Sequence, residues 1–403
     1  MSETVEISPD TTPAAEPIEG TAPRTVTGAV ARLATRASAS PWMARGAFLL
    51  FALVLLSWPG VLDDPTRVRQ WAEYLCYAMI AVGIDIAWGY GGMLVLGQGV
   101  FFGLGAYAMG MYLSLEQVPD GALPEFMSLY SDYDELPWLW QPFQSIWFAG
   151  PAAVLVPMAL AGLLGWLVFH RRIRGPYFAI LTQATALIFY LLLIGQLKLT
   201  AGTNGLTNFT TLFGRNKYEA GTNTWLYRIA AVALLVVLVV AVQLVRSRYG
   251  RLLMATRDGE DRVRFLGYDP ALVKTFAFMA AAGMAGVAGA LSAPIIGIVA
   301  PNQFAVLPSI LMVAWVAVGG RGTLIGAVIG ALLVSWGETN LSESRPDDWL
   351  YLQGALFIVV IAYIPKGLVG LVSGAPAFAE RLRHRFGGGP GPTAGGAGAE
   401  AAA

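Results

Sequence analysis

Of the 403 residues, 56% are apolar and 13% are charged, about half the charged share of an ordinary soluble domain. A soluble globule has no interior large enough to hide that apolar surface, and a formal net charge of zero gives no sign of a nucleic-acid partner. One cysteine, Cys76, and two histidines, His170 and His384, exclude a disulfide framework, a Cys/His zinc set and a Ser-His dyad. No metal or other cofactor is expected.

Residues 1–42 form an Ala/Pro/Thr-rich tail without an apolar signal core, and it reads as disordered and cytoplasmic. A membrane-spanning domain is expected over 43–373, and 374–403 reads as a second disordered tail of Gly, Ala and Pro around Arg381, Arg383 and Arg385. Apolar runs long enough for the hydrocarbon core, about 17–25 residues each, fall near 43–62, 71–90, 94–113, 146–169, 176–196, 225–245, 274–294, 304–319, 322–338 and 350–365. The fold class is therefore all-α, a polytopic membrane protein of about ten transmembrane helices. Re-entrant Gly-rich segments are compatible with the short or interrupted runs at 71–113 and 304–338.

Cytoplasmic loops hold the Lys and Arg excess in membrane proteins. Residues 24–46 carry four Arg and no acid, which puts the N-terminus inside. The parity of ten spans then puts 170–175 and 246–273 inside, with Arg171, Arg172, Arg174, Arg246, Arg248, Arg251, Arg257, Arg262 and Arg264. It puts 114–145 outside, a loop with Glu116, Asp120, Glu125, Asp132, Asp134 and Glu135 and no basic residue, together with Asp347 and Asp348. One loop deviates: 198–224 should be external yet holds Lys198, Arg215 and Lys217 against Glu219. Both termini are expected in the cytoplasm of a bacterial cell bounded by this inner membrane.

Small residues let membrane helices approach closely. Gly99 and Gly103 make one GxxxG within Gly89–Leu113, and Gly326 and Gly330 make another within Gly319–Leu333. The likeness of the two stretches is compatible with an internal repeat. Polar residues at membrane depth are few, so each is a translocation-path candidate or a structural tie. Asp85 is a solute acceptor, a gate partner or a cap near the cytoplasmic interface, whereas Gln98 and Gln183 are solute contacts or glue between helices. Asn204, in the turn-rich segment Leu199–Thr211, lines an external mouth or caps helix ends. The segment Ser247–Asp269 has Leu252, Leu253, Ala255, Val263 and Phe265 among alternating charges, which predicts one or two short amphipathic helices bracketed by Gly250 and Gly267. It is either a basic interfacial loop or a docking helix for a cytoplasmic partner.

Gly89–Leu113, the GTNGLT run at Gly202–Thr207, the loop YGRLLMATRDGEDRVRFLGYD and the later GGRGT together resemble the permease subunits of branched-chain amino acid ABC importers, in order and spacing over roughly residues 70–370. Within that family the likeness is nearest to urea importer permeases. It rests on GIDIAWGYGGM with Asp85, on GQGVFFGLGAYAMGMYL, and on the external loop through LPEFMSLYSDYDELPWLWQPFQ. The amino acid importers more usually have Asn where Asp85 stands and Ser or Thr where Val95 stands.

The resemblance implies a second homologous permease, two cytoplasmic ATPases and a periplasmic or extracellular solute-binding protein. It also implies an ATPase-coupling role for Arg251, Arg257, Asp258, Glu260, Arg262 and Gly267, solute movement by alternating access, and urea as the solute, with branched-chain amino acids or short amides as the alternative. None of the four lysines, Lys198, Lys217, Lys274 and Lys366, follows a Gly, so the chain has no Gly-Lys-Ser/Thr phosphate loop. ATP hydrolysis is therefore expected on separate subunits. An ATP-independent channel or carrier is the rival from another class.

Overall fold

The computed structural model describes residues 41–62, 64–119, 122–130, 135–173, 175–217, 219, 221–344 and, beyond these, 346, 348, 351, 353–355, 357–358 and 367–369. The N-terminal tail before 41, the tail 374–403, most of the span expected at 350–365, and Asp120, Asp132, Asp134, Arg174 and Asp347 lie outside the described residues. The chain divides into two units, Met1–Phe51 and Ala52–Ala403. In the first, residues 41–51 belong to α1 (Pro41–Ser57), the helix in which the boundary falls.

The second unit is a helical bundle. Its main elements are α2 (Pro65–Ile84), α3 (Gln98–Glu116), α4 (Ile146–His170), α5 (Pro176–Gly195) and α6 (Thr222–Arg246). There follow the short α7 (Arg248–Asp258) and α8 (Glu260–Phe265), then α9 (Pro270–Ile296), α10 (Val306–Gly319) and α11 (Leu324–Ser344). Among the described residues six helices are long and apolar enough to cross a membrane, and Gly46–Gly60 and Val306–Gly319 are shorter apolar helices. α3 is not among these six, and most of its residues, from Gln98 to Leu115, are buried.

Helix starts follow local chemistry. Asp64 accepts from Thr66 N at 2.8 Å with Pro65 at the first helical position, and Asp269 accepts from Ala271 N at 2.9 Å with Pro270 there. Each carboxylate satisfies an orphan amide, and each proline sits where its missing N–H costs nothing. Pro65 therefore starts α2 six residues ahead of the apolar run read from the sequence. At the other end α2 passes into a π turn, Asp85–Tyr90, and the extended stretch that follows delays α3 to Gln98.

Close backbone approach builds the centre. α9 packs along α2, α3 and α4 through a run of small residues, with Ala281, Ala282, Ala285, Ala288 and Ala293 wholly buried. A Cβ at Gly289 would sit on the Phe102 carbonyl oxygen, and one at Gly105 on the Gly286 backbone. Dispersion between such surfaces replaces the hydrophobic force that lipid cannot supply.

Contacts between loops sort the helix ends. One end gathers the π turn, α7 and Gly322, and His170 beside Asp269 at 3.9 Å. The other gathers Leu206 paired with Val299, Glu116 on the amides of Phe213 and Gly214, Asn223 on Pro65, and Arg67 on Glu343 at 3.0 Å. Between Pro65 and Ser344 the helices α2, α4–α6, α9 and α11 run between these ends, while the starts of α3 and α10 meet in the interior, where Gly99 N donates to Ser309 Oγ at 3.2 Å. The deviant basic loop lies at the same end as the acidic one, because Glu116 caps the small hairpin of β1 (Thr211–Leu212) and β2 (Arg215–Asn216) that carries Arg215. Desolvation, then Arg69, lower the pKa of Lys217 just beyond it.

Candidate functional site

At the end bearing α7, three segments distant in sequence meet. Asp85 is fully buried, and its Oδ1 accepts from Gly322 N at 2.5 Å while its Oδ2 has no hydrogen-bond partner among the described residues. Asp85 thus closes the GGRGT turn between α10 and α11. One turn on, Gly89 O accepts from Arg257 Nη1 of α7 at 2.6 Å, a charge-assisted bond. Gly89 must be glycine, since a Cβ there would strike Asp85 and Gly322. The Arg321 guanidinium lies 5.6 Å from the centre of the Trp88 ring. The helix after α6 therefore grips the π turn that holds the GGRGT turn.

The loop that supplies Arg257 is braced at both ends. Ser247 accepts from Gly250 N at 3.2 Å, and a Cβ at Gly250 would collide with the Val245 carbonyl, so the corner from α6 into α7 requires glycine. Glu260 bridges Lys274 at 2.6 Å and Arg264 at 3.5 Å, tying α8 to α9. Asp258 pairs with Arg257 at 2.9 Å. Arg251 and Arg262 are exposed, and Gly267 is a left-handed turn with φ +86° beside the exposed side chains of Phe265, Leu266 and Tyr268.

Toward the opposite end, α2, α10, α11 and the Ile296–Gln303 linker, with Phe102 of α3, line a half-open cavity of about 670 Å³. Glu73, Glu338 and Glu343 line it, with Ser335, Trp315, Gln303 and Asn302. Glu73 Oε1 accepts from Tyr77 OH, and Tyr74 OH donates to Thr339 at 2.6 Å. Glu73 and Glu338, at the edges of the apolar runs 71–90 and 322–338, fall well within α2 and α11, because α2 begins earlier and α11 ends later than those runs. Apolar windows hid both, because each acid falls at the edge of its run. The retained signal is spacing, with Glu73 and Tyr77 one turn apart.

The other sequence candidates do not join this cavity. Gln98 is fully buried and donates to Ala281 O at 2.9 Å, fastening α3 to α9, and its Oε1 has no partner among the described residues. Both side-chain polar atoms of Gln183 are buried without a hydrogen bond among the described residues. Asn204 donates to Tyr130 OH at 3.1 Å in a separate cleft of about 400 Å³ that Gln117 also lines. The GTNGLT run seats the end of α9, because Leu206 and Val299 exchange two backbone bonds of 2.8 Å and a Cβ at Gly205, φ +68°, would strike the Val299 carbonyl.

The two GxxxG pairs also go to specific places. Gly99 N donates to Ser309 Oγ at 3.2 Å, and Gly103 lies under the Phe304 ring. Gly326 and Gly330 lie against Gly319 and Trp315, closing the hairpin of α10 and α11. Sequence reading missed the tighter pair on α9, Gly286 and Gly289, whose signal is the Ala/Gly run itself.

Apolar helices that alternate ends around buried polar ties, with a carboxylate-lined cavity between them, define a multi-pass membrane transport protein. Residues 71–361 match the family described as branched-chain amino acid transport system / permease component, and the chain belongs to that family. The high-affinity branched-chain amino acid transport system permease protein LivM of Salmonella typhimurium is 29% identical over 350 residues, 80% of this chain and 74% of the relative. LivH of Escherichia coli is 23% identical over 304 residues, 73% and 91% of the two chains. The autoinducer 2 import system permease protein LsrC of Yersinia pseudotuberculosis is 29% identical over 140 residues, 33% and 40%. No solved structure matches the chain.

Proposed function

We propose that the chain is one membrane half of an ATP-driven importer in a bacterial inner membrane, paired with a second homologous permease and served by two cytoplasmic ATPases and an external solute-binding protein. The observation that carries this reading is the family match over residues 71–361. Likeness to both LivM and LivH supports a pairing of two related permeases. Ten passes, as read from the apolar runs of the sequence, would put both termini in the cytoplasm with the positively charged α7–α8 end facing inward. The α2–α3 and α10–α11 hairpins run in the same sense, as a parallel internal repeat would require.

In this reading Arg251, Arg257, Asp258, Glu260, Arg262 and Gly267 form the ATPase-coupling segment. Phe265 and Leu266, 91% and 76% exposed, are the apolar side chains that a soluble partner would cover. ATPase closure displaces α7, and Arg257 passes that displacement to Gly89, the π turn and the GGRGT turn, so α2, α3, α10 and α11 swing together. The acidic external end, with Trp138 80% exposed, receives the binding protein.

The relatives named for branched-chain amino acids favour such an amino acid as the solute. Urea or a short amide is a second reading, favoured by the cavity: among its described lining residues none is Lys, Arg or His to meet an amino acid carboxylate. Competitive uptake of labelled leucine and urea, in cells with and without this subunit, tests both. Leucine uptake that vanishes with the subunit, and is untouched by urea, supports the amino acid reading. Subunit-dependent urea uptake supports the second. Loss of neither removes the importer assignment.

A further inference from the structure

The cavity bounded by α2, α10 and α11 has a lining that its position forbids unless it is wet or covered. Glu73 lies eight residues into α2, about 12 Å from its start at 1.5 Å per residue, and Glu338 lies six residues from the end of α11. Both carboxylates belong to helices long and apolar enough to span the membrane. Acidic side chains at that depth face protein or a water-filled path, never acyl chains.

Two further side chains point to a ligand. Ser335 and Trp315 line the same cavity, are 3% and 5% exposed, and leave Ser335 Oγ and Trp315 Nε1 without a hydrogen bond. Buried polar atoms of this kind are ordinarily paired. Gln303 Oε1, also in the lining, is a third atom in that condition. Glu73 and Glu338 are close enough to repel each other, and no metal-holding group of three or more His, Cys, Asp or Glu occurs among the described residues.

From this lining we infer that the cavity is a solute station on the translocation path that takes the nitrogen end of its solute, an N–H-bearing amide or ammonium group, with the Glu73 and Glu338 carboxylates and Gln303 Oε1 as acceptors. Trp315 Nε1 and Ser335 Oγ meet the solute's own acceptor. The lining is acceptor-rich, with no Lys, Arg or His among its described residues; Arg67 beside it is held by Glu343 and Arg69 acts on Glu73 from outside the lining, and carboxylates bind N–H donors through charge-assisted bonds. The shared chemistry is the N–H donor, which urea, short amides and an amino acid's ammonium group all present. The inference rests on the chain being a permease.

The test uses the assembled importer in membrane vesicles without ATP. Cys76 is the only cysteine and is fully buried, so Ser342→Cys, on the same wall and with no assigned contact to the solute, in a Cys76→Ala background gives one thiol in the cavity. Maleimide labelling should slow about tenfold with solute at ten times its dissociation constant, because only the empty site reacts. Urea, acetamide, methylammonium and leucine are the probes, and tetramethylurea, which keeps the carbonyl but has no N–H, is the control. Protection by at least one N–H solute and none by tetramethylurea supports the site, and the protecting solute names the source. Protection by tetramethylurea equal to that by urea, or by nothing, overturns it. If Ser342→Cys does not assemble, Asn302→Cys in the same lining gives the same measurement. Adding Glu338→Gln, which keeps an oxygen and removes the charge, should abolish protection by methylammonium while leaving protection by urea; no change for methylammonium counts against the carboxylate's role. Transport that proves ATP-independent would remove the importer reading and leave this labelling result intact.

Discussion

Asp85→Ala removes the acceptor that holds the Gly322 amide and leaves that part-buried N–H without it, between α10 and α11. A fully buried unsatisfied donor costs about 1–3 kcal/mol, and this one keeps some access to solvent, so about 1–2 kcal/mol is expected and the folded-to-unfolded ratio of the solubilised chain should drop roughly 5- to 30-fold. Asp85→Asn keeps an oxygen in the same place and should lose less than about 1 kcal/mol, the net value of a single hydrogen bond. The assay is thermal unfolding of the detergent-solubilised importer, read beside solute uptake in cells. The expected pattern is that Ala loses stability and uptake together, and Asn keeps both. The reasoning would be refuted if Asn and Ala reduced uptake equally while stability stayed at the wild-type level, because Asp85 would then act through its charge on the solute.

Other substitutions probe other links. Arg257→Ala frees the Gly89 carbonyl from α7; ATP hydrolysis stimulated by the loaded binding protein should fall at least severalfold while the subunits still copurify, and unchanged stimulation would contradict the coupling route. Arg262→Glu changes an exposed charge with no part in that contact, and it should reduce copurification of the ATPases without altering the chain's thermal unfolding. Gly289→Val drives a side chain into the Phe102 carbonyl; overpacking of this kind costs about 1–3 kcal/mol or more, so the purified chain should unfold at lower temperature. Gly205→Val meets both a left-handed φ and the Val299 carbonyl, and it should increase proteolysis of the 196–217 loop.

Much of the architecture follows from local signals that a sequence carries openly. Asp-Pro pairs at 64–65 and 269–270 mark helix starts, the Ser247-to-Gly250 corner turns the chain out of α6, and the charge pattern sorts loops into two ends that the contacts reproduce. The π turn at Asp85–Tyr90 was illegible, because it depends on partners at Gly322 and Arg257 more than 150 residues away. The same holds for the cavity. Glu73 and Glu338 look like interfacial acids when apolar windows end beside them, and only the docking of α2 against α11 brings them to one wall. Asp85, the most conspicuous polar residue in the sequence, proved to be committed to a backbone turn. The small residues of α9 were likewise invisible as a contact surface, since composition alone does not say which face meets α3.

The central claim is that this chain forms a solute path driven by ATPases on other subunits. The direct measurement is solute uptake into proteoliposomes holding the assembled importer, loaded with ATP, with wild-type ATPases or with ATPases unable to hydrolyse ATP. Uptake that requires the external binding protein and stops with the inactive ATPases is the predicted result. Equal uptake with inactive ATPases would contradict the account and place the chain among channels or secondary carriers.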